Sequence, residues 1–388
     1  MVIVLRVTIF FLILLLLPDY YIYVAYVRPK QSRLKSILHW LPTILLLAGL
    51  LFFLVHREAY LTQFGYFLIV TLFVSASKVA FCTVDLLLRC IQKLTRRAVL
   101  PHALAALVCA LATGGYILYG AMEGKKHFKV REVTFASPCL PKSFDGYRIL
   151  QISDIHAGSW TDKGKALARA VKICNQQHPD LTVFTGDLVN SRADEVLPFM
   201  PILRQLKAED GIYSITGNHD YGTYVHWDTP TDSLANIDSL IARERQMGWH
   251  ILLNEHRILH RGNDSIALIG VENSGKPPFP NQGNLPKAIQ GTEGMFKILL
   301  SHDPTHWRRA VLPQTDIHLM LAGHTHDMQM NVGRFSPSQF IYPEHNGFYY
   351  EGAQALFVNI GLGHVLFPMR IGAWPEITVI TLHRKANN

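Results

Sequence analysis

The hydrophobic residues of this chain are distributed unevenly, and the longest runs lie in its first third. Four runs are nearly free of charged side chains, and they lie at about 2–26, 37–55, 64–88 and 99–122. Crossing the hydrocarbon core of a bilayer takes roughly 20 apolar residues, so each run is long enough to span it. The first run ends in a cluster of tyrosines before Arg28 and lacks the short apolar core of a cleaved signal peptide. The pattern therefore predicts an all-α membrane domain of about four helices at residues 1–124.

From about residue 131 the pattern changes to short apolar runs that alternate with amphipathic stretches. Strands are predicted at 147–153, 181–185, 211–216, 265–271, 296–300 and 317–321. Helices are predicted at 162–177, with Thr161 as N-cap, and at 194–208 and 233–247, whereas the proline- and glycine-rich stretch 273–294 is predicted to be a loop. This alternation is typical of a layered α/β or α+β domain, and we assign an α+β domain to residues 131–388.

Chemically versatile residues follow the predicted strands. Five strands end in short polar motifs: Asp154-Ile155-His156, Gly186-Asp187, Gly217-Asn218-His219-Asp220, Ser301-His302-Asp303 and Gly323-His324-Thr325-His326. Because strand ends converge at one edge of a sheet, residues more than 170 positions apart in the sequence can meet there. The motifs therefore predict one shared site.

Carboxylate, amide and imidazole ligands without thiolates suit divalent metal ions, and a shared carboxylate can hold two of them about 3.5–4 Å apart. Two such ions clamp a phosphate and supply a hydroxide at neutral pH. A glycine precedes Asp187, Asn218 and His324, which lets the backbone approach the ions closely. One Asp-x-His or Gly-His-x-His motif would be weak support for a metal site, but five motifs in this order are specific.

The ordered motifs resemble those of the calcineurin-like metallophosphoesterase superfamily, D-x-H, G-D, G-N-H-D/E, H and G-H-x-H, over about residues 145–382. The resemblance implies a four-layer α/β/β/α sandwich, in which two facing mixed sheets carry helices on the outside. It also implies that the first metal is held by Asp154, His156 and His326, the second by Asn218, His302 and His324, and that Asp187 bridges both.

The same resemblance gives His219 a catalytic role at the scissile phosphate, where it stabilises the transition state or protonates the leaving oxygen. In the protein phosphatases of the superfamily an acidic residue follows the G-D motif, but this chain has Asn190 there. A protein phosphatase is therefore disfavoured, and the acidic partner of His219 is left open, with Asp220 as one candidate.

The C-terminal segments 359–363, 368–370 and 375–378 resemble the membrane-associated bacterial branch of the superfamily. Members of that branch act on phosphodiester or pyrophosphate bonds of lipid-linked substrates, including UDP-2,3-diacylglucosamine. Aromatic and apolar residues near the last motif either line an entrance for acyl chains or serve ordinary packing, and packing is favoured: Phe335, Phe340, Tyr342, Phe348, Tyr349, Tyr350 and 365–367.

The chain carries 37 Lys and Arg against 29 Asp and Glu, a formal net charge of +8. The basic residues flank the hydrophobic runs instead of forming one stripe, so no nucleic-acid partner is expected. Loops 28–36 and 89–98 have four basic residues each, and Arg97 is one of those in the second loop. Because basic loops tend to stay in the cytoplasm, this predicts that the catalytic domain lies on the outer, periplasmic or extracellular, face. The basic residues at 125–131 oppose this orientation.

Charged residues and cysteines add two smaller expectations. Lys78 and Asp85 lie seven positions apart in the third run, on one face of a helix, where they are expected to pair or to reach the interface; a transport path is disfavoured. Cys139 and Cys174 show no CxxC spacing, so they predict buried thiols and no thiolate metal site, although pairing in an oxidising compartment stays open.

Together these features predict a multi-pass membrane enzyme that hydrolyses a phosphodiester or pyrophosphate bond, in a lipid-linked substrate at the bilayer, by a bridging hydroxide at a two-metal site. The alternative is an outward-facing phosphomonoesterase or nucleotidase with the same metals. A membrane scaffold with a degenerate phosphoesterase domain would lack ligands, and here none is missing. Mn²⁺ is the expected ion, while Fe, Zn²⁺ and Mg²⁺ accept the same ligands.

Overall fold

The computed structural model describes residues 2–56, 61–96, 101–333 and 335–385. The chain forms two compact units, one comprising Met1–Gly124 with Leu366–Met369, the other Lys125–Val365 with Arg370–Asn388.

The first unit contains long apolar helices. They are α1 (Val2–Ile22), α2 (Arg33–His56), α3 (Leu61–Thr95) and α4 (His102–Met122). Between α1 and α2 the chain makes a π-helical turn and a short 3₁₀ turn, Tyr23–Val27 and Arg28–Lys30. Four helices among the described residues are long and apolar enough to cross a membrane, which confirms the predicted all-α membrane domain. Arg97 of the second basic loop lies outside the described residues.

Lys78 and Asp85 of α3 find different partners inside this unit. The Lys78 ammonium lies 2.6 Å from the buried carboxylate of Asp19 on α1. The Asp85 carboxylate, also buried, lies 2.9 Å from Arg89 Nε and 2.8 Å from His102 Nδ1. Each buried acid therefore has a basic neighbour, as expected for charges in an apolar environment. Lys78 and Asp85 pair with these residues and not with each other.

The second unit contains twelve strands among the described residues: β1 (Lys129–Ser137), β2 (Arg148–Ile152), β3 (Leu181–Phe184), β4 (Ile212–Ser214), β5 (His250–Ile251), β6 (Glu255–Arg261), β7 (Asp264–Gly270), β8 (Phe296–Leu300), β9 (Leu319–Ala322), β10 (Gly347–Glu351), β11 (Gln354–Val358) and β12 (Glu376–Arg384). One six-stranded sheet has the order β1-β12-β2-β3-β4-β5, and the other has the order β10-β11-β9-β8-β7-β6. Both sheets are mixed, because β2 to β5 and β7 to β9 run parallel while β12 and β2, and β6 and β7, pair antiparallel.

Helices cover the outer faces of the two sheets: α5 (Lys165–Asn175), α6 (Met200–Leu203), α7 (Pro230–Gln246), α8 (Leu285–Ile289) and α9 (Leu312–Gln314). Successive strand residues point to opposite faces, so Ile149 packs between the sheets while Leu150 packs under α5 and α7. In the other sheet Ile298 faces the middle and Leu299 packs toward α8 and α9. Apolar residues on both faces of the strands thus build the four-layer α/β/β/α sandwich that the sequence predicts.

Several element boundaries differ from the predicted ones. The helix predicted at 162–177 begins at Lys165 after Gly164, so Thr161 is not its N-cap. The helix predicted at 194–208 is a 3₁₀ stretch followed by the four-residue α6, because Pro198 and Pro201 interrupt the α-helical hydrogen bonds. The predicted loop at 273–294 contains α8, whose N-cap Asn284 accepts a hydrogen bond from the Lys287 backbone N–H.

Candidate metal centre

The predicted ligands come from loops that follow strands of both sheets. Asp154 and His156 follow β2, Asp187 follows β3, Asn218 follows β4, and His302, His324 and His326 follow β8 and β9. The seven side chains meet at the ends of these strands, and ligand atoms of acids and histidines lie within 4.8 Å of one another in three overlapping sets: Asp154, His156 and His326; His156, Asp187 and His219; and Asp187, His302 and His324. The predicted ligands therefore come from strand ends of two facing sheets. The motif positions alone suggested one edge of a single sheet.

The first group consists of Asp154, His156 and His326, all buried. The Nε2 atoms of His156 and His326 lie 3.0 Å apart, and His326 Nε2 lies 3.3 Å from Asp154 Oδ1. These nitrogen and oxygen atoms point at one another without apolar atoms to separate them. Such a set of donor atoms fits a divalent cation.

The second group is built around His302. Its Nε2 atom lies 3.0 Å from Asp187 Oδ2 and 3.1 Å from Asn218 Oδ1. Its Nδ1 atom donates a hydrogen bond to the Thr185 carbonyl at 2.7 Å, which directs Nε2 toward the two oxygens. Since both oxygens are acceptors, a cation shared by the three atoms satisfies them together. His324 completes the group.

The Asp187 carboxylate lies between the two groups. Its Oδ2 atom is 3.0 Å from His302 Nε2 and 3.8 Å from His156 Nε2. Its Oδ1 atom accepts a hydrogen bond from the His219 backbone N–H at 2.8 Å. This location suits the bridging position that the sequence resemblance implies.

Burial governs the protonation of the histidines. It lowers the pKa of His156, His324 and His326, so these imidazoles are neutral and keep a lone pair for a metal. Burial acts in the same direction on His302, but the adjacent Asp187 carboxylate outweighs it and raises the pKa of His302 to about 10.

His219 lies beside both groups, and the centroid of its ring is 4.8 Å from the centroid of the His156 ring. The Nδ1 atom of His219 donates a hydrogen bond to the Asn190 carbonyl at 2.7 Å. The partner that the sequence left open is therefore a backbone oxygen and not an acid. Because a carbonyl only accepts, Nδ1 carries a hydrogen and Nε2 is the atom that can gain or lose a proton.

Asp220, the candidate acidic partner of His219, makes different contacts. Its buried carboxylate accepts hydrogen bonds from the backbone N–H groups of Asp187, Leu188, Val189 and Gly217, at 2.8–3.2 Å. Burial and the charge of Asp187 raise the pKa of Asp220 to about 7, against the opposing effect of these N–H donors. Asp220 thus ties the loop after β3 to the loop after β4.

The backbone at the site is strained. Five of the seven predicted ligands are non-glycine residues with positive φ, between 49° and 75°: Asp154, His156, Asp187, His324 and His326. Such conformations are costly outside glycine and persist where the surroundings impose them, mostly at functional sites. The loops here are therefore shaped for the positions of these side chains.

Gly217 shows how closely the loops approach. A Cβ atom on this residue would lie 2.2 Å from Asp187 Oδ1 and 2.6 Å from the Asp187 backbone nitrogen. Neither atom can move without displacing the carboxylate that joins the two groups. Only glycine fits between Asn218 and the neighbouring strand end.

Two residues outside the five motifs also contact predicted ligands, a role that the sequence did not predict. The fully buried Arg370 places Nη2 3.0 Å from His326 Nδ1 and donates to the Ile360 carbonyl. The Tyr342 hydroxyl lies 2.9 Å from His324 Nε2. Arg370 and Tyr342 thus orient two of the predicted ligand histidines, as outer partners of metal sites do. No spacing rule marks them, because they reach the site only through the fold.

One loop beside the site exposes apolar side chains and buries polar ones, and we call residues 328–333 and 335–341 the apolar loop. Its serines, Ser336 and Ser338, are fully buried, while Val332 is 68%, Phe335 50% and Phe340 76% exposed. It begins two residues after His326 and ends next to Tyr342. Of the other aromatic residues considered from the sequence, Phe348 packs against the core between the sheets and Tyr349 against the outer core of β9 and β11.

The fold, the five motifs and the clustered acids and histidines define a metallophosphoesterase. The family profile described as Calcineurin-like phosphoesterase matches residues 147–328, and the profile described as Probable Calcineurin-like phosphoesterase, transmembrane domain, matches residues 5–125. The metallophosphoesterase YkuE of Bacillus subtilis is 32% identical over 304 residues, which cover 75% of this chain and 98% of YkuE.

A second relative, from Danio rerio, is described as a transmembrane protein with metallophosphoesterase domain. It is 31% identical over 289 residues, which cover 71% of this chain and 62% of the relative, so this chain spans less than two thirds of that protein. The chain belongs to the calcineurin-like phosphoesterase family. It is a membrane protein and a metal-dependent phosphoester hydrolase that uses divalent metal ions.

Proposed function

We propose that this protein hydrolyses a phosphodiester or pyrophosphate bond in a lipid-linked substrate on the outer face of a cell membrane. The observation that carries the lipid part of the proposal is the apolar loop. Exposed apolar patches of this kind mark contact with a partner, a ligand or a membrane, and this one adjoins the metal centre. A substrate with an acyl or polyprenyl chain would place its phosphate at the metals and its apolar part along the loop.

The residues that would hold the two ions are Asp154, His156 and His326 for one and Asn218, His302 and His324 for the other, with Asp187 shared. When bound, the ions neutralise charge on the phosphoryl oxygens and make a hydroxide available at neutral pH, and Mn²⁺ is the ion we favour. The chain itself orients the ligands through the Thr185 carbonyl and Arg370.

His219 is the proposed proton donor to the leaving oxygen. Its Nδ1 hydrogen bond to the Asn190 carbonyl fixes the plane of the ring, and its backbone N–H is anchored on Asp187. Nε2 is then the atom that releases a proton as the bond to phosphorus breaks.

A substrate comparison tests the reaction class. The purified full chain in detergent, supplied with Mn²⁺, should hydrolyse bis-nitrophenyl phosphate faster than nitrophenyl phosphate. It should also act on a UDP-diacylglucosamine or phospholipid panel more efficiently than on soluble nucleotides. Preference for the monoester and for nucleotides would instead identify an outward-facing phosphomonoesterase or nucleotidase.

The apolar loop gives a sharper test of the lipid part. Replacing both Phe335 and Phe340 by Ser should lower kcat/KM on a lipid substrate by on the order of tenfold or more, because each exposed ring loses its contact with the acyl chain. Turnover of the soluble bis-nitrophenyl phosphate should stay within about twofold of wild type.

The matched control is Leu234→Ser, which removes an exposed apolar side chain of α7 (65% exposed). This variant should leave both activities unchanged. Equal losses on lipid and soluble substrates in the loop variant would contradict an acyl-chain contact. Phe348 is unsuitable for this test, since it packs in the core and its loss would destabilise the sandwich.

A further inference from the structure

Tyr224 contacts two of the residues that matter most at the centre, although it lies outside every motif. Its hydroxyl lies 2.7 Å from Asn218 Nδ2, and its ring stacks on the His219 imidazole with centroids 4.2 Å apart and planes inclined by 25°. The side chain is 41% exposed, so it lies at the mouth of the site. It therefore links a proposed metal ligand, the proposed proton donor and the space where a substrate enters.

The direction of the hydrogen bond leaves the tyrosine proton unused. Asn218 points Oδ1 at His302 Nε2, so its Nδ2 faces Tyr224 and can only donate. The Tyr224 oxygen accepts this bond and keeps its own O–H for another acceptor. Among the described residues the structure records no acceptor for that hydrogen.

The loop that carries Tyr224 is held in place. Gly222 has φ of +65°, and a Cβ there would meet the Ser191 carbonyl at 2.8 Å. Trp227 Nε1 donates to the Gly222 carbonyl at 2.8 Å, and the Arg192 guanidinium lies 4.8 Å from the centre of the Trp227 ring. Tyr224 is thus braced against the segment that also orients His219 through Asn190.

We propose that Tyr224 is a catalytic residue whose hydroxyl donates a hydrogen bond to a non-bridging phosphoryl oxygen of the substrate while its ring holds the His219 imidazole in place. No proton is transferred in this contact, because the phenol acts only as a hydrogen-bond donor. The proposal rests on the proposed metal-dependent function and adds a substrate contact to it. A hydrogen bond to a charged oxygen is worth on the order of 10- to 100-fold in binding.

The test uses the full chain in detergent, loaded with Mn²⁺, and the variants Tyr224→Phe and Tyr224→Leu. Tyr224→Phe should keep the wild-type metal content, weaken binding of inorganic phosphate by about tenfold or more in calorimetry, and lower kcat on bis-nitrophenyl phosphate by on the order of 10- to 100-fold. Tyr224→Leu should lower kcat further, because it also removes the stacking contact with His219.

The control is Tyr350→Phe, which deletes the same hydroxyl from a tyrosine that is 58% exposed and stacks on Phe348. It should match wild type in metal content, phosphate binding and turnover. Unchanged phosphate binding in Tyr224→Phe would overturn the proposal, and so would loss of metal, which would make Tyr224 only a support for Asn218. Since phosphate binding is measured without turnover, a wrong substrate class would not affect this result.

Discussion

The Asp187 carboxylate is the residue on which the candidate centre depends most. It is the only one of the seven predicted ligands that lies between both groups, at 3.0 Å from His302 Nε2 and 3.8 Å from His156 Nε2. His219 is anchored on the same carboxylate through its backbone, yet its side chain bonds to the Asn190 carbonyl. The two residues are therefore expected to respond differently to substitution.

We predict that Asp187→Asn loses bound metal and all measurable hydrolysis, because an amide cannot supply a shared anionic ligand to two cations. His219→Ala should retain the metals and lose on the order of 100- to 10,000-fold in turnover, as expected for removal of a general acid. Metal analysis of the purified variants beside their kcat values checks both. A His219→Ala protein without metal would show that His219 is a ligand.

At the scale of elements, helix α7 buries an acid against the sheet. Glu244 is fully buried, and its carboxyl group faces the Ser214 hydroxyl of β4. Burial raises the pKa of Glu244 to about 8, so the folded protein holds this side chain as the neutral acid. The stability of the packing between α7 and the sheet therefore depends on pH.

The direction of this pH dependence follows from the protonation of Glu244 in the folded and the unfolded chain. Below about pH 4.5 Glu244 is protonated whether the chain is folded or not, and between that value and about 8 only the folded state holds the proton. Stability is thus lost as the pH rises through this window. The neutral isostere Glu244→Gln is compared with wild type at pH 5 and at pH 8. The melting temperature of the variant minus that of wild type should rise by about 5 °C or more between these two pH values.

Thermal melts of the detergent-purified proteins at the two pH values measure this difference. Glu209→Gln is the matched control, because Glu209 is exposed and its substitution should give the same difference from wild type at both pH values. A Glu244→Gln curve that runs parallel to the wild-type curve across the window would rule out a buried neutral acid.

At the scale of the whole molecule, the chain joins a four-helix membrane unit to a hydrolase unit, and the side of the membrane decides which substrates it meets. The basic loops favour an outer catalytic unit, while the basic residues at 125–131 oppose it. Cys139 provides a natural probe, since it is a free, exposed cysteine of the catalytic unit, whereas Cys174 is buried. The expectation that both thiols are buried is wrong for Cys139.

We predict that a membrane-impermeant maleimide labels Cys139 in intact cells that express the protein, because an outer catalytic unit exposes this thiol to the medium. The Cys139→Ser variant should remove that labelling. If labelling of Cys139 appears only after the cells are permeabilised, the catalytic unit lies inside and the proposed orientation is reversed.

The sequence by itself determined the all-α membrane segment and the layered fold class, and it predicted the seven metal ligands, because hydrophobic period and strand-end motifs are local features. Ile149 and Leu150 illustrate this, since alternation alone assigns them to opposite faces of the sheet. The start of the helix after Gly164 and the extent of α6 were predicted less well, because helix caps and prolines override helix propensity at these positions.

Only the tertiary structure decided what surrounds the ligands. It joined the strand ends of two sheets, gave His219 a carbonyl partner, and made Asp220 a tie between loops. It also brought Arg370 and Tyr224 to the site and exposed Phe340 while burying Phe348 in the core. These contacts join residues from separate elements, and only the packing of those elements sets their distance and burial.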